Sequence, residues 1–131
     1  MFTYTTRVAM HETDAAGIVY FADFFHYAEE AEVHALASVG FKVMDADYLL
    51  PRVHVACDYH APLHFFEQVR AEACLTRIGN SSLHWEIRIN GPQGPCATVT
   101  LITSRRRKDG SAAPYTAEEK AKLTPLMQTE V

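Results

Sequence analysis

HETDAAGIVYFADFFHYAEEA, residues His11 to Ala31, places a carboxylate, a glycine, an apolar aromatic run and the start of a helix in that order. Asp14 stands three residues before Gly17. A turn aspartate is commonly an Asx-turn or capping residue, because its short side chain bonds the backbone just ahead of it. The alternative is a reacting group. Asp23 suits a helix N-cap. After it Phe24, Tyr27, Ala28, Ala31, Ala35 and Val39 recur at helical spacing, and Gly40 suits a C-cap. Several of these inward positions are alanine, which lets a helix lie close against a sheet.

Working outward, the flanking segments alternate with period two, the signature of half-buried strands. Tyr4, Thr6, Val8 and Met10 oppose Thr3, Thr5 and Arg7. Val53, Val55, Cys57, Tyr59 and Ala61 oppose Arg52, His54, Asp58 and His60. Val69, Ala71, Ala73 and Leu75 form one face of a third strand, Leu83, Trp85, Ile87 and Ile89 of a fourth, and Ala97, Val99, Leu101 and Thr103 of a fifth. GNSS and NGPQG are the turns between the last three. The segment TAEEKAKLTPL reads as a short polar helix or tail. One apolar and one mixed face per strand suits an antiparallel sheet with one side on a core. The expected fold is therefore α+β, a five-stranded antiparallel sheet wrapped around one long central helix. A single domain spans 1–131, with its core at 3–106 and a C-terminal tail at 107–131.

Strand, turn, helix and four strands, with this Asp-to-aromatic run between the first strand and the helix, resemble the hotdog-fold acyl-CoA thioesterases of the 4-hydroxybenzoyl-CoA thioesterase family. The residues that carry the likeness are Asp14, Ala15, Ala16, Gly17, Ile18, Val19, Tyr20 and Phe21, with Glu29 as the acid two turns into the helix. DYHAPLHFFEQV adds Tyr59, Pro62 and Glu67. The stretch PRVHVACDYHAP, with His54, is similar to the branch acting on 1,4-dihydroxy-2-naphthoyl-CoA and equally to other aromatic or short-chain acyl-CoA enzymes. The resemblance implies a thioester hydrolase in which Asp14 is nucleophile or general base. The backbone N–H of Phe21 would polarise the carbonyl, and Gly17 would let the chain turn beside the substrate. It also implies a homodimer or homotetramer with active sites at the subunit interface.

These residue types suit that chemistry. A carboxylate attacks a thioester directly or takes a proton from water. Burial beside Ile18, Val19 and the aromatics would make Asp14 more basic. Tyr20 and Phe21, with Phe24 and Phe25, offer rings to an aromatic acyl group. Glu29 would orient water or touch the acyl group, and His54 would face the acyl pocket or a subunit contact. Arg105, Arg106 and Arg107 form the densest basic cluster and are candidates for the CoA phosphates, since arginine binds phosphate bidentately.

Composition narrows the alternatives. The net charge of −4 gives no general attraction for nucleic acid. Cys57, Cys74 and Cys96 are odd in number and far apart, and fit reduced thiols of a cytoplasmic protein. No apolar run approaches a membrane span and MFTYTTRVAM lacks the pattern of a signal peptide. His60 and His64 are four apart, but Pro62 lies between them, so no metal site is expected. The chemistry needs no cofactor. Two further readings stay open: an acyl-thioester binding module, and a thioesterase acting on acyl carrier protein without preference for CoA. An acyl dehydratase would want a histidine where this chain has Asp14.

Overall fold

The structure, a computed structural model, describes residues 1–127. Its main sheet contains β1 (Phe2–Arg7), β3 (Arg52–Tyr59), β4 (Gln68–Ile78), β5 (Ser82–Gly91) and β6 (Gly94–Ser104), and a short strand β2 (Tyr48–Leu49) precedes β3. Spatial order is β1-β4-β5-β6-β3, with every neighbouring pair antiparallel. The alternation read from the sequence sets the inner face: Val69, Ala71, Ala73, Leu75, Leu83, Trp85, Ile87, Ile89, Ala97, Val99 and Leu101 are buried.

Helix α1 (Asp23–Ser38) packs on that face, against β1, β4, β5 and β6. Ala28, Ala31 and Ala35 have no exposed surface, so small side chains bring the helix close to the sheet. Ala22, not Asp23, occupies the N-cap; Asp23 is the first helical residue and its carboxylate sits in the positive first turn. At the other end Gly40 (φ +86°) donates to Ala37 and Phe41 donates to Leu36, closing a Schellman motif. Gly40 thus caps the helix from just beyond it.

The segment expected as a short polar helix or tail forms a second helix, α2 (Ala117–Leu123). It follows β7 (Arg106–Arg107), which pairs with β2 in a small separate sheet. Two features depart from the expected architecture. Residue 107 onward is not an appended tail, because Tyr115, Leu123 and Leu126 are buried in the same core as the sheet. The second departure lies in β3. Its pairing with β6 shifts between Arg52 and His54: Arg52 faces Thr103 and Val55 faces Leu101, two inward positions. This bulge turns Arg52 to the α1 side, whereas simple alternation puts it beside His54.

Candidate active site

The segment from Thr13 to Val19 closes on itself. Thr13 and Val19 form an isolated antiparallel bridge. Asp14 N–H donates to Ile18 C=O at 2.9 Å, and Gly17 N–H donates to Asp14 C=O at 3.0 Å. Inside this turn Asp14 Oδ1 accepts from Ala16 N–H at 2.8 Å. Asp14 is therefore an Asx-turn residue by geometry, with one carboxylate oxygen engaged. Gly17 has φ +78°, and a Cβ there would meet nothing within 4 Å, so backbone conformation rather than space selects glycine. In the single chain Asp14 is exposed. Val19 turns into the core, but Tyr20 and Phe21 are 47% and 59% exposed, so the expected apolar burial of Asp14 does not arise within one protomer.

The second stretch singled out in the sequence holds this turn in place. Val19 N–H donates to Leu63 C=O at 2.8 Å and Phe65 N–H donates to Gly17 C=O at 3.0 Å, while Ile18 bridges to His64. Glu67 closes that loop, accepting from His64 N–H at 2.7 Å. Tyr59 reaches from β3 to the far side of the turn: its hydroxyl donates to Phe21 C=O at 2.8 Å, and its ring meets Phe24 edge-on at 5.5 Å. Phe21 lies just before the Ala22 N-cap, and its N–H has no acceptor among the described residues.

Glu12 is a residue that sequence reasoning passed over. It is buried, and its Oε1 accepts from Ala9 N–H at 2.7 Å and from the Tyr27 hydroxyl at 2.9 Å. It ties the approach to the Asp14 turn onto α1. Burial, with the Glu12 carboxylate beside it, raises the Tyr27 phenol well above its ordinary range. The available signal was Glu12 three residues after Ala9, the spacing by which a side chain returns to a turn's first N–H.

Glu29 lies six residues, ~9 Å, along α1 from Asp23. It lines a cavity of about 280 Å³ with Phe25, Arg52, Val55 and Leu101, and its Oε2 is 3.4 Å from Arg52 Nη1. The other side of Arg52 is bonded to Glu32, which is fully buried. Burial pushes the Glu32 carboxyl up, against the pull of Arg52. His54 stands opposite Ile102 on the outer face of the sheet, so it does not join Asp14 or Glu29 within one chain.

The arginine cluster is a correction. Arg105 is buried, not at the surface. Its guanidinium donates to Ala113 C=O, to Pro114 C=O and, in a fork, to both carboxylate oxygens of Glu119. It is stacked between Tyr48 and Tyr115 at 4.2 and 4.1 Å. With four of its five N–H groups bonded, this buried guanidinium has no fork to offer a phosphate; it anchors α2. Arg106 donates to Ser104 Oγ and Gly110 C=O, and Arg107 to Ala112 C=O. Leu36, Gly40 and Phe41, at the C-terminal end of α1, share a cavity with Arg105. The cluster thus lies a helix length, ~24 Å, from the end of α1 that carries the Asp14 turn. Among the described residues no group of three or more His, Cys, Asp or Glu side chains could hold a metal ion, and no helix is long and apolar enough to cross a membrane.

An antiparallel sheet with one helix on its face, entered through an aspartate–glycine turn and then through Phe21, whose N–H has no acceptor among the described residues, is the frame of a hotdog-fold thioester hydrolase. The chain belongs to the Thioesterase superfamily, whose sequence profile matches residues 16–97. It is 30% identical over 106 residues to a 1,4-dihydroxy-2-naphthoyl-CoA hydrolase of Synechococcus elongatus, covering 77% of this chain and 78% of that one. A solved 1,4-dihydroxy-2-naphthoyl-CoA thioesterase from Synechocystis superposes with a TM-score of 0.87 at 23% identity over 98% of both chains. A gentisyl-coenzyme A thioesterase does so at 0.84 and 23%, over 92% of this chain and 98% of that one. These two structural likenesses show the shared fold.

Proposed function

We propose that this chain hydrolyses an aromatic or short-chain acyl-CoA, with Asp14 as nucleophile or general base and the Phe21 N–H as donor to the thioester oxygen. The observation that carries the reading is a carboxylate and a peptide N–H without an acceptor among the described residues, seven residues apart, on one segment held by Leu63, Phe65 and Tyr59. In the nucleophilic form an Asp14 oxygen bonds to the carbonyl carbon, and the π electrons move to the oxygen. The oxyanion then collapses, the C–S bond breaks and the thiolate leaves, and water cleaves the resulting mixed anhydride. In the general-base form Asp14 takes the proton of an attacking water. Donation from Phe21 N–H stabilises the oxyanion in both, an effect of ~3 kcal/mol per donor.

The relatives named for dihydroxynaphthoyl-CoA and gentisyl-CoA favour a hydroxyaromatic acyl group. Tyr20 and Phe21, with rings 4.7 Å apart, are the groups to stack on it, and Glu29 is placed to orient water or contact its substituents. Strand β3 is an edge with Val53 and Tyr59 59% and 48% exposed, and an unpaired edge with exposed apolar side chains is a template for a second strand. A second copy on that edge makes a homodimer, or a homotetramer of two such pairs. It would bring the water exclusion around Asp14 that one chain lacks, and His54 would serve contacts between copies. Three free cysteines fit a cytoplasmic setting.

The test is thiol release from a panel of benzoyl, 4-hydroxybenzoyl, dihydroxynaphthoyl, phenylacetyl and linear acyl-CoAs, with the wild type and Asp14→Asn. A fall of several orders of magnitude in the variant supports the reading. Equal rates with and without the carboxylate, or no hydrolysis of any thioester, sink it.

A further inference from the structure

Phe66 is the one non-glycine residue with positive φ among the described residues, at 67°. A bulky side chain in the left-handed region is strained, because its Cβ crowds the backbone. Such strain persists only where the surroundings impose it, and it gathers at functional sites. Here the backbone is imposed from β1. Phe66 N–H donates to Val8 C=O at 3.0 Å, and Arg7 Nη1 donates to Phe66 C=O at 2.9 Å. Neither bond needs an aromatic side chain; glycine or asparagine would accept the same ties with less strain. Core packing does not explain the ring either, since Phe66 is 61% exposed.

What the ring does have is a position and a partner. Its neighbour Phe65 is bonded to Gly17, so Phe66 stands at the rim of the Asp14 turn. The Arg7 guanidinium lies over the Phe66 ring, 4.9 Å from its centroid. Arg7 is exposed, has no carboxylate partner, and uses only Nη1 among its donors within the described residues. A guanidinium with free N–H groups, stacked on an open aromatic face, matches a phosphate joined to a base: arginine forks onto phosphate oxygens and the ring stacks on the base.

We propose that Arg7 and Phe66 clamp the nucleotide end of a CoA thioester, with a phosphate on the Arg7 guanidinium and the adenine on the outer face of Phe66. The assignment rests on the thioesterase reading and names the carrier as CoA rather than an acyl carrier protein. It also gives the phosphates a basic partner beside the turn, which the Arg105 cluster does not supply within one chain.

Two measurements test it. Titration calorimetry with desulfo-CoA compares the wild type with Phe66→Gly and Arg7→Met. Thiol release compares one acyl group carried on CoA and on pantetheine. Each variant is expected to bind desulfo-CoA about tenfold more weakly, the scale of one lost stack or one charged hydrogen bond. Each should also raise KM for the CoA thioester relative to the pantetheine thioester. Phe66→Gly is expected to melt no lower than the wild type, because glycine accepts the φ, so weakened binding there is not lost folding. A wild type that does not bind desulfo-CoA overturns the clamp, as does equal affinity in all three proteins or an unchanged KM ratio. A wild type that binds it through both residues yet cleaves no thioester keeps the clamp and overturns the thioesterase reading alone.

Discussion

The Tyr59 hydroxyl donates a 2.8 Å hydrogen bond to the carbonyl of Phe21, 38 residues earlier in the chain. Tyr59 belongs to the edge strand β3, and Phe21 to the link between the Asp14 turn and α1. The bond fixes the carbonyl side of Phe21 while its N–H is left without an acceptor among the described residues. Tyr59→Phe is expected to lower kcat by about tenfold to a hundredfold, the cost of a donor held loosely near a reacting carbonyl. KM should move little. Stability should fall by about 1 kcal/mol, the usual net worth of one such bond. Steady-state thiol release and a urea melt would measure both; an unchanged kcat would remove Tyr59 from the positioning of the site.

Gly17 tests the turn itself. Its φ of +78° is open to glycine and tolerable for asparagine, while no neighbouring atom blocks a side chain. Gly17→Ala is expected to cost about 1–2 kcal/mol of stability through conformation alone, and to reduce kcat as Asp14 shifts. Gly17→Asn should retain more of both. Thermal melts and rates for the two variants, taken together, would separate conformational strain from a steric block.

The Arg105–Glu119 fork makes a prediction opposite to the one its sequence suggests. Arg105→Met should destabilise by about 3 kcal/mol, since it leaves Glu119 unpaired in a partly buried place. It should leave KM for acyl-CoA unchanged. Arg105 holds the Glu119 carboxyl at about 2, below its ordinary 4.5. A carboxyl depressed in the folded state adds stability that is present above pH 4.5 and lost as pH falls toward 2. Acid unfolding of the wild type against Glu119→Gln reads that window, and the variant should lose this part of the slope.

Arg52 and Glu32 behave with the other sign. Burial raises the Glu32 carboxyl, and Arg52 opposes that rise. A carboxyl raised in the folded state binds its proton more tightly there than in the unfolded chain, so stability declines as pH rises above the unfolded value. Arg52→Met should steepen this decline. The expected deficit is about 3 kcal/mol at pH 7, at the low end for buried pairs because Arg52 reaches solvent, and it should shrink as pH approaches 4.5. Adding Glu32→Leu should recover most of the loss. Urea titrations between pH 5 and 8 would decide; a deficit independent of pH would mean that Glu32 is not the group responsible.

Local chemistry made much of the architecture readable. Period-two alternation through Val69, Leu83 and Val99 marks the inner face of the sheet, because each side chain's face follows from its parity along a strand. The alanines of α1 and its Gly40 cap, and the Asp14–Gly17 turn, are likewise encoded within a few residues of themselves. The sequence by itself therefore determined the order of α1 and the five main strands, the core faces of β4, β5 and β6, and the turn that carries the carboxylate. Tertiary structure decided the rest, for reasons that lie far along the chain. Arg52 faces α1 because β3 slips by one position against β6, and a bulge is a property of pairing rather than of either strand. Arg105 is buried because residues 113–119 return to cover it, turning an apparently free basic run into the anchor of α2. Phe66 is strained because Arg7 and Val8, almost sixty residues earlier, hold its backbone. Register, burial and strain each depend on which distant segments meet, and a chain's local pattern carries no record of that meeting.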